Sequence, residues 1–149
     1  MPVVAADPAA YAVDDIGDYL RGEWRLARVY VDRRRGLAGW FRGLARFIDT
    51  GGGIRYREQG HLRFGDFAGQ AYREYRCDFP APGLARLSFG DGRPFHDLDL
   101  SAGRWQVQHG CAPDRYDGEF LALSAVQWRG VWRITGPRKD LLIRGGYRR

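Results

Sequence analysis

Residues Pro94 to Cys111, PFHDLDLSAGRWQVQHGC, form two runs that alternate apolar and polar side chains around a small-residue break. With a turn centred between Ala102 and Gly103, the stretch predicts an antiparallel hairpin. Leu100 then faces Trp105, Leu98 faces Val107, His96 faces His109, and Cys111 faces Pro94. Phe95, Asp97, Asp99, Gln106 and Gln108 fall on the opposite face. A one-residue slip exchanges the two faces, so the alternation selects this register and sets a pair of imidazoles on an otherwise apolar side.

The same period of two recurs on both sides of this segment. Strand-like runs are expected at 23–32, 39–49, 54–64, 68–79, 84–90, 94–100, 104–110, 117–125, 128–136 and 140–148, parted by Gly, Pro or Asp punctuation. No run sustains a helical period, apart from a short turn that Asp14 can cap, with Ile16, Tyr19 and Leu20 on one side. In the last hairpin, a pivot between Pro137 and Arg138 pairs Ile134 with Leu141, Trp132 with Ile143, Gly130 with Gly145, and Trp128 with Tyr147 on one face. Arg129, Arg133 and Arg144 occupy the other. Hairpins that are apolar inside and polar outside build a closed antiparallel barrel, because closure removes exposed edges. The expectation is an all-β single domain over 1–149, a barrel of about 8–10 strands whose first 12 residues form a loosely ordered extension.

Length and composition agree with one domain: 149 residues, 44% hydrophobic and 14% aromatic, suffice to bury roughly 70% of the unfolded surface. The net charge of +6 comes from arginine, with Lys139 the single lysine, and is spread along the chain, with one cluster at Arg33, Arg34 and Arg35. With no basic stripe and no recognition motif, nucleic acid is not an expected partner. The N-terminal segment carries Asp7, Asp14, Asp15 and Asp18 and no basic region, unlike an export signal. No apolar run reaches the ~18 residues of a membrane helix. The expected location is the cytoplasm, with Cys77 and Cys111 as reduced thiols.

Gly22-Glu23-Trp24 at the head of the first long strand, after a helical turn, resembles the G-x-W opening of the lipocalin and calycin barrels. The segments FGDGRPFHDLDL (Phe89–Leu100), HGCAPDRY (His109–Tyr116) and WRGVWRITGPRKD (Trp128–Asp140) resemble an uncharacterised lipocalin-like family catalogued as a domain of unknown function. The resemblance implies a small lipocalin-like barrel and brings no activity with it. It also implies an arginine near the C-terminus packed over Trp24, with Arg138, Arg148 and Arg149 as candidates.

Candidate chemistry centres on His96 and His109. As cross-strand partners they can share a water, a proton or a metal; zinc needs further ligands, for which Cys111 and Asp114 are the sources, and a haem iron needs one imidazole among Trp105, Leu98 and Val107. No metal is assigned and the cofactor is left open. Glu58 is the one carboxylate on the apolar face of IRYREQGHLRF and requires a cationic partner inside, Arg73 or Arg28. The opposite face of that run puts His61 in solvent. Arg138 and Lys139 can clamp an anion if they point inward. The leading expectation is a barrel binding one small, partly apolar molecule through His96, His109, Trp105, Tyr116, Trp128, Trp132, Glu58, Arg73 and Arg138. The alternatives are an enzyme using the histidines as acid and base with Tyr116, Asp114 or Arg138 in support, and an interaction module with a self-filled core.

Overall fold

Alternation along Gly22–Asp32 buries Trp24 and Leu26 while Glu23, Arg25 and Ala27 stay outside, and the same parity propagates from strand to strand. A computed structural model describes residues 8–149; residues 1–7 of the expected loose extension lie outside the described residues. After α1 (Ile16–Leu20) come β1 (Gly22–Asp32), β2 (Leu37–Asp49), β3 (Ile54–Phe64), β4 (Phe67–Ala81), β5 (Leu84–Ser88), β6 (Pro94–Leu98), β7 (Arg104–Cys111), β8 (Asp114–Ser124), β9 (Gln127–Gly136) and β10 (Lys139–Arg148). All ten form one antiparallel sheet in the order β6-β5-β4-β3-β2-β1-β10-β9-β8-β7, rolled into a nearly closed barrel. The β9–β10 register is the expected one: Ile134 with Leu141, Trp132 with Ile143, Gly130 with Gly145, Trp128 with Tyr147.

The hairpin expected at Pro94–Cys111 does not form. β6 pairs with β5, placing His96 opposite Leu87, and β7 pairs with β8, placing His109 opposite Tyr116. The two strands are instead the edges of the sheet. The reason lies at the connection. The N–H groups of Val13 and Gly103 both donate to the Leu100 carbonyl, at 3.0 and 2.8 Å, Ala122 donates to that of Gly103, and Tyr11 donates to that of Ala122. Gly103 sits at φ +78° with Tyr11 so close that a Cβ would stand 2.6 Å from its carbonyl oxygen. The chain does turn tightly at Leu100–Gly103, but the N-terminal segment and β8 take backbone groups on either side of the turn, and no ladder extends from it.

α1 and the segment before it cover one end of the barrel. Asp15, not Asp14, caps the helix by accepting from Asp18 N–H at 3.0 Å. Ile16, Leu20 and Trp24 are fully buried there, and the Tyr19 hydroxyl donates to the Ser124 carbonyl at 2.9 Å. Burial pushes the Tyr19 phenol up to about 12. Arg149, one of the three candidates, lies over Trp24 at 4.0 Å from the ring centroid and donates to the carbonyls of Arg21 and Tyr19, both at 2.8 Å. Arg138 is exposed in the β9–β10 turn, at the opposite end.

β2 and β3 approach each other closely at the paired glycines Gly43 and Gly60. A Cβ on Gly43 would fall 2.1 Å from the Gln59 carbonyl oxygen, and one on Gly60 2.2 Å from that of Arg42. The paired glycines let the backbones approach more closely than side chains permit.

Two outcomes follow from these contacts. Arg149→Ala should cost on the order of 2 kcal/mol and lower Tm by roughly 4–8 °C, while Arg138→Ala leaves Tm unchanged, as read by thermal unfolding. Gly43→Ala should cost more than about 2 kcal/mol in denaturant titration, against less than about 0.5 for Gly52→Ala, which has open space around it.

Candidate functional site

Inward side chains of the strands enclose a cavity of about 420 Å³. Its floor, toward α1, is made by Phe47, Tyr56, Leu98, Phe120, Trp128 and Tyr147; the open end carries Tyr30, Phe89, Phe95, His109, Tyr116 and Lys139. Aromatic rings dominate the wall. Trp132 from β9 lies nearly parallel to Phe95 from β6, with centroids 5.5 Å apart and an angle of 14°.

Glu58 and Arg28 meet inside this wall. Arg28 donates from Nη1 to Glu58 Oε2 at 2.7 Å and from Nη2 to Oε1 at 2.5 Å, a bidentate pair; Arg73, the other candidate, stands opposite Glu58 in the β3–β4 ladder. Tyr56 donates its hydroxyl to Glu58 Oε1 at 2.5 Å, and its oxygen lies 3.1 Å from that of Tyr147, which accepts from Arg28 at 3.3 Å. Burial alone would raise the Glu58 carboxyl, but the Arg28 guanidinium overrides it and holds the group below its ordinary value. Burial pushes both Tyr56 and Tyr147 upward, so their protons stay in place. Tyr147 in turn stacks on Trp128, centroids 3.7 Å apart at 4°. The Trp128 indole N–H, in a residue 3% exposed, has no hydrogen-bond partner among the described residues.

His96 and His109 line the same cavity, though as neighbours around Phe95 and not as ladder partners: ring centroids lie 4.7 and 5.7 Å from that of Phe95. Nδ1 of His96 is 2.8 Å from the Asp97 carbonyl oxygen, which only accepts, so Nδ1 carries the proton and Nε2 is left as an acceptor. The ring stacks on Phe120 at 5.3 Å and 15° and meets Trp132 edge-on at 5.2 Å. Burial among these rings lowers the His96 pKa to about 4, so the imidazole is neutral at physiological pH.

Phe95, expected outside, lines the cavity. The β5–β6 ladder shifts between Leu87 and Ser88, pairing Leu87 with His96 but Ser88 with Pro94, so the bulge turns Phe95 and His96 both inward. The alternation of PFHDL gives no sign of it. Asp97 faces out and pairs with Arg86 at 3.3 Å, as its parity requires. Tyr75 and Phe89, also absent from the sequence-derived site, flank Phe95 at 5.4 and 4.8 Å.

The other expected residues divide. Tyr116, Trp128, Trp132, Glu58 and Arg73 line the cavity. Trp105 does not: its indole N–H donates to the Asp97 carbonyl at 2.9 Å, tying β7 to β6 across the seam that no ladder closes. Arg138 does not reach the cavity either; its neighbour Lys139 does, and is held by Asp114 at 3.0 Å. His61 is exposed, beside Trp40. Among the described residues no three or more His, Cys, Asp or Glu side chains gather to hold a metal ion, and Asp114 is committed to Lys139. The two imidazoles are too few for a closed zinc site.

This architecture is similar to that of a protein of unknown function from the DUF3598 family of Nostoc punctiforme PCC 73102 (TM-score 0.64, 14% identity), a match covering 97% of this chain and 53% of that one. The chain therefore spans about half the length of that protein. It is also similar to the S-type phycobiliprotein lyase of Guillardia theta (TM-score 0.59, 6% identity, 93% of each chain). At these identities the likeness is one of fold. No curated protein matches the chain in sequence. Residues 20–149 match a family of unknown function, DUF6314, and with nearly the whole barrel inside that match the chain belongs to this family.

Proposed function

We propose that this protein binds one small, largely apolar molecule inside the barrel, with the His96 end of the cavity receiving its polar group. The observation that carries the reading is the cavity itself: about 420 Å³, within the size range of small-molecule sites, walled by aromatic rings and reached by both histidines. A self-filled core would leave no such volume. The neutral His96 ring supports binding over acid–base turnover. Its Nε2 is an acceptor suited to holding a hydroxyl or N–H, and a base with a pKa of about 4 takes up protons poorly near neutrality.

The test is titration with N-phenyl-1-naphthylamine, an uncharged two-ring fluorophore. Saturable one-to-one binding with enhanced emission and quenching of tryptophan is expected, weakened about tenfold by Trp132→Ala and unchanged by Trp40→Ala, whose ring faces outward. Absence of binding by the folded wild type, of this probe and of its sulfonated analogue alike, would remove the reading.

The state of His96 sets a pH dependence. The imidazole is neutral in the fold down to about pH 4 but protonates near 6.5 in the unfolded chain. Its contribution is thus complete above about pH 6.5 and lost as pH falls toward 4. Between these limits wild type should lose on the order of 3 kcal/mol more unfolding free energy than His96→Phe, measured by urea denaturation at each pH. Parallel curves would contradict it.

A further inference from the structure

Much of the polar equipment of the cavity is already spent. The charged side chains lining it are Arg28, Glu58, Arg73 and Lys139. Arg28 and Glu58 neutralise each other in two hydrogen bonds, and Lys139 is neutralised by Asp114. Arg73 is left. It stands opposite Glu58 in the ladder, on the solvent-exposed stretch of β4 that β5 does not pair, with its guanidinium 6.0 Å from the Tyr75 ring centroid, and it makes no ion pair within 4.0 Å among the described residues. At the floor, the Trp128 N–H is sealed from the cavity and offers it no donor.

Resting on the binding function proposed above, we infer that the guest is an aromatic or conjugated anion, whose carboxylate or similar group pairs with Arg73 and whose ring system lies among Trp132, Phe95 and Tyr75. The charge count selects the sign: the lining carries one uncompensated positive charge and no uncompensated negative one. The wall selects the body, because rings present faces and edges that a planar π system matches better than an aliphatic chain does. The guanidinium adds a planar fork suited to a carboxylate or sulfonate.

Two probes sharing one skeleton separate this inference from the reading beneath it. 8-Anilinonaphthalene-1-sulfonate is N-phenyl-1-naphthylamine with an added sulfonate. The sulfonate should bind wild type at least tenfold more tightly than the uncharged probe, and Arg73→Gln should remove most of that advantage, read as the ratio of the two affinities within the same variant. Arg73→Lys should retain part of it. Arg63→Gln, which deletes the same charge from an outward-facing position, should leave both affinities as they are. If the uncharged probe binds as well as the anion, or if Arg73→Gln leaves the ratio intact, the anion assignment is wrong and the binding function stands. If neither probe binds, both fall.

Discussion

Arg28 and Glu58 reach each other across the interior from β1 and β3, with the intervening strand β2 contributing no charge to the contact. Placing two charges in a protein interior costs several kcal/mol each, and the cost is offset only when geometry and hydrogen bonding are both complete. Here they are. The guanidinium forks onto both carboxylate oxygens, Tyr56 adds a third bond, and Tyr147 joins Tyr56 to the guanidinium. These bonds fix two phenols in angle while burial keeps them protonated, and Tyr147 presents its face to Trp128, which in turn meets Trp24 edge-on at 6.1 Å. The floor of the cavity is thus held by polar bonds as well as packed rings, and room remains above it.

That arrangement explains why the remaining groups matter. A cavity whose polar atoms satisfied one another would be indifferent to its contents. This one leaves an imidazole acceptor at His96 and a guanidinium at Arg73 unspent, on walls otherwise lined by rings. The pattern of what is spent and what is left defines the complementary molecule more sharply than volume does.

The parity of the strands was legible in the sequence because it is a local property. Tyr56, Glu58, Trp128 and Trp132 point inward whichever strands flank them, and the Gly136-Pro137 turn fixed β9 against β10 without outside help. His96 and His109 likewise face inward, although the hairpin that suggested it is absent. What was not legible depends on distant chain. The Tyr11–Val13 segment occupies the backbone around Leu100 and Gly103, and so turns a hairpin into a passage between two sheet edges. The bulge opposite Leu87 rotates Phe95 inward against its parity. Arg149 prevails over Arg138 because β10 runs back to the α1 end, which the number of residues after Pro137 does not reveal without the strand lengths.

Ten strands in this barrel are joined by nine ladders, and between β6 and β7 a single indole N–H and a cluster of rings take the place of the tenth. Widening the circumference at that line breaks one hydrogen bond and slides aromatic faces, whereas widening it anywhere else breaks a row of backbone bonds. A line without a backbone ladder therefore runs next to the histidines, whereas β2 and β3 are held to each other by eleven residue pairs. For a container built this way, breadth is constrained least along that one line.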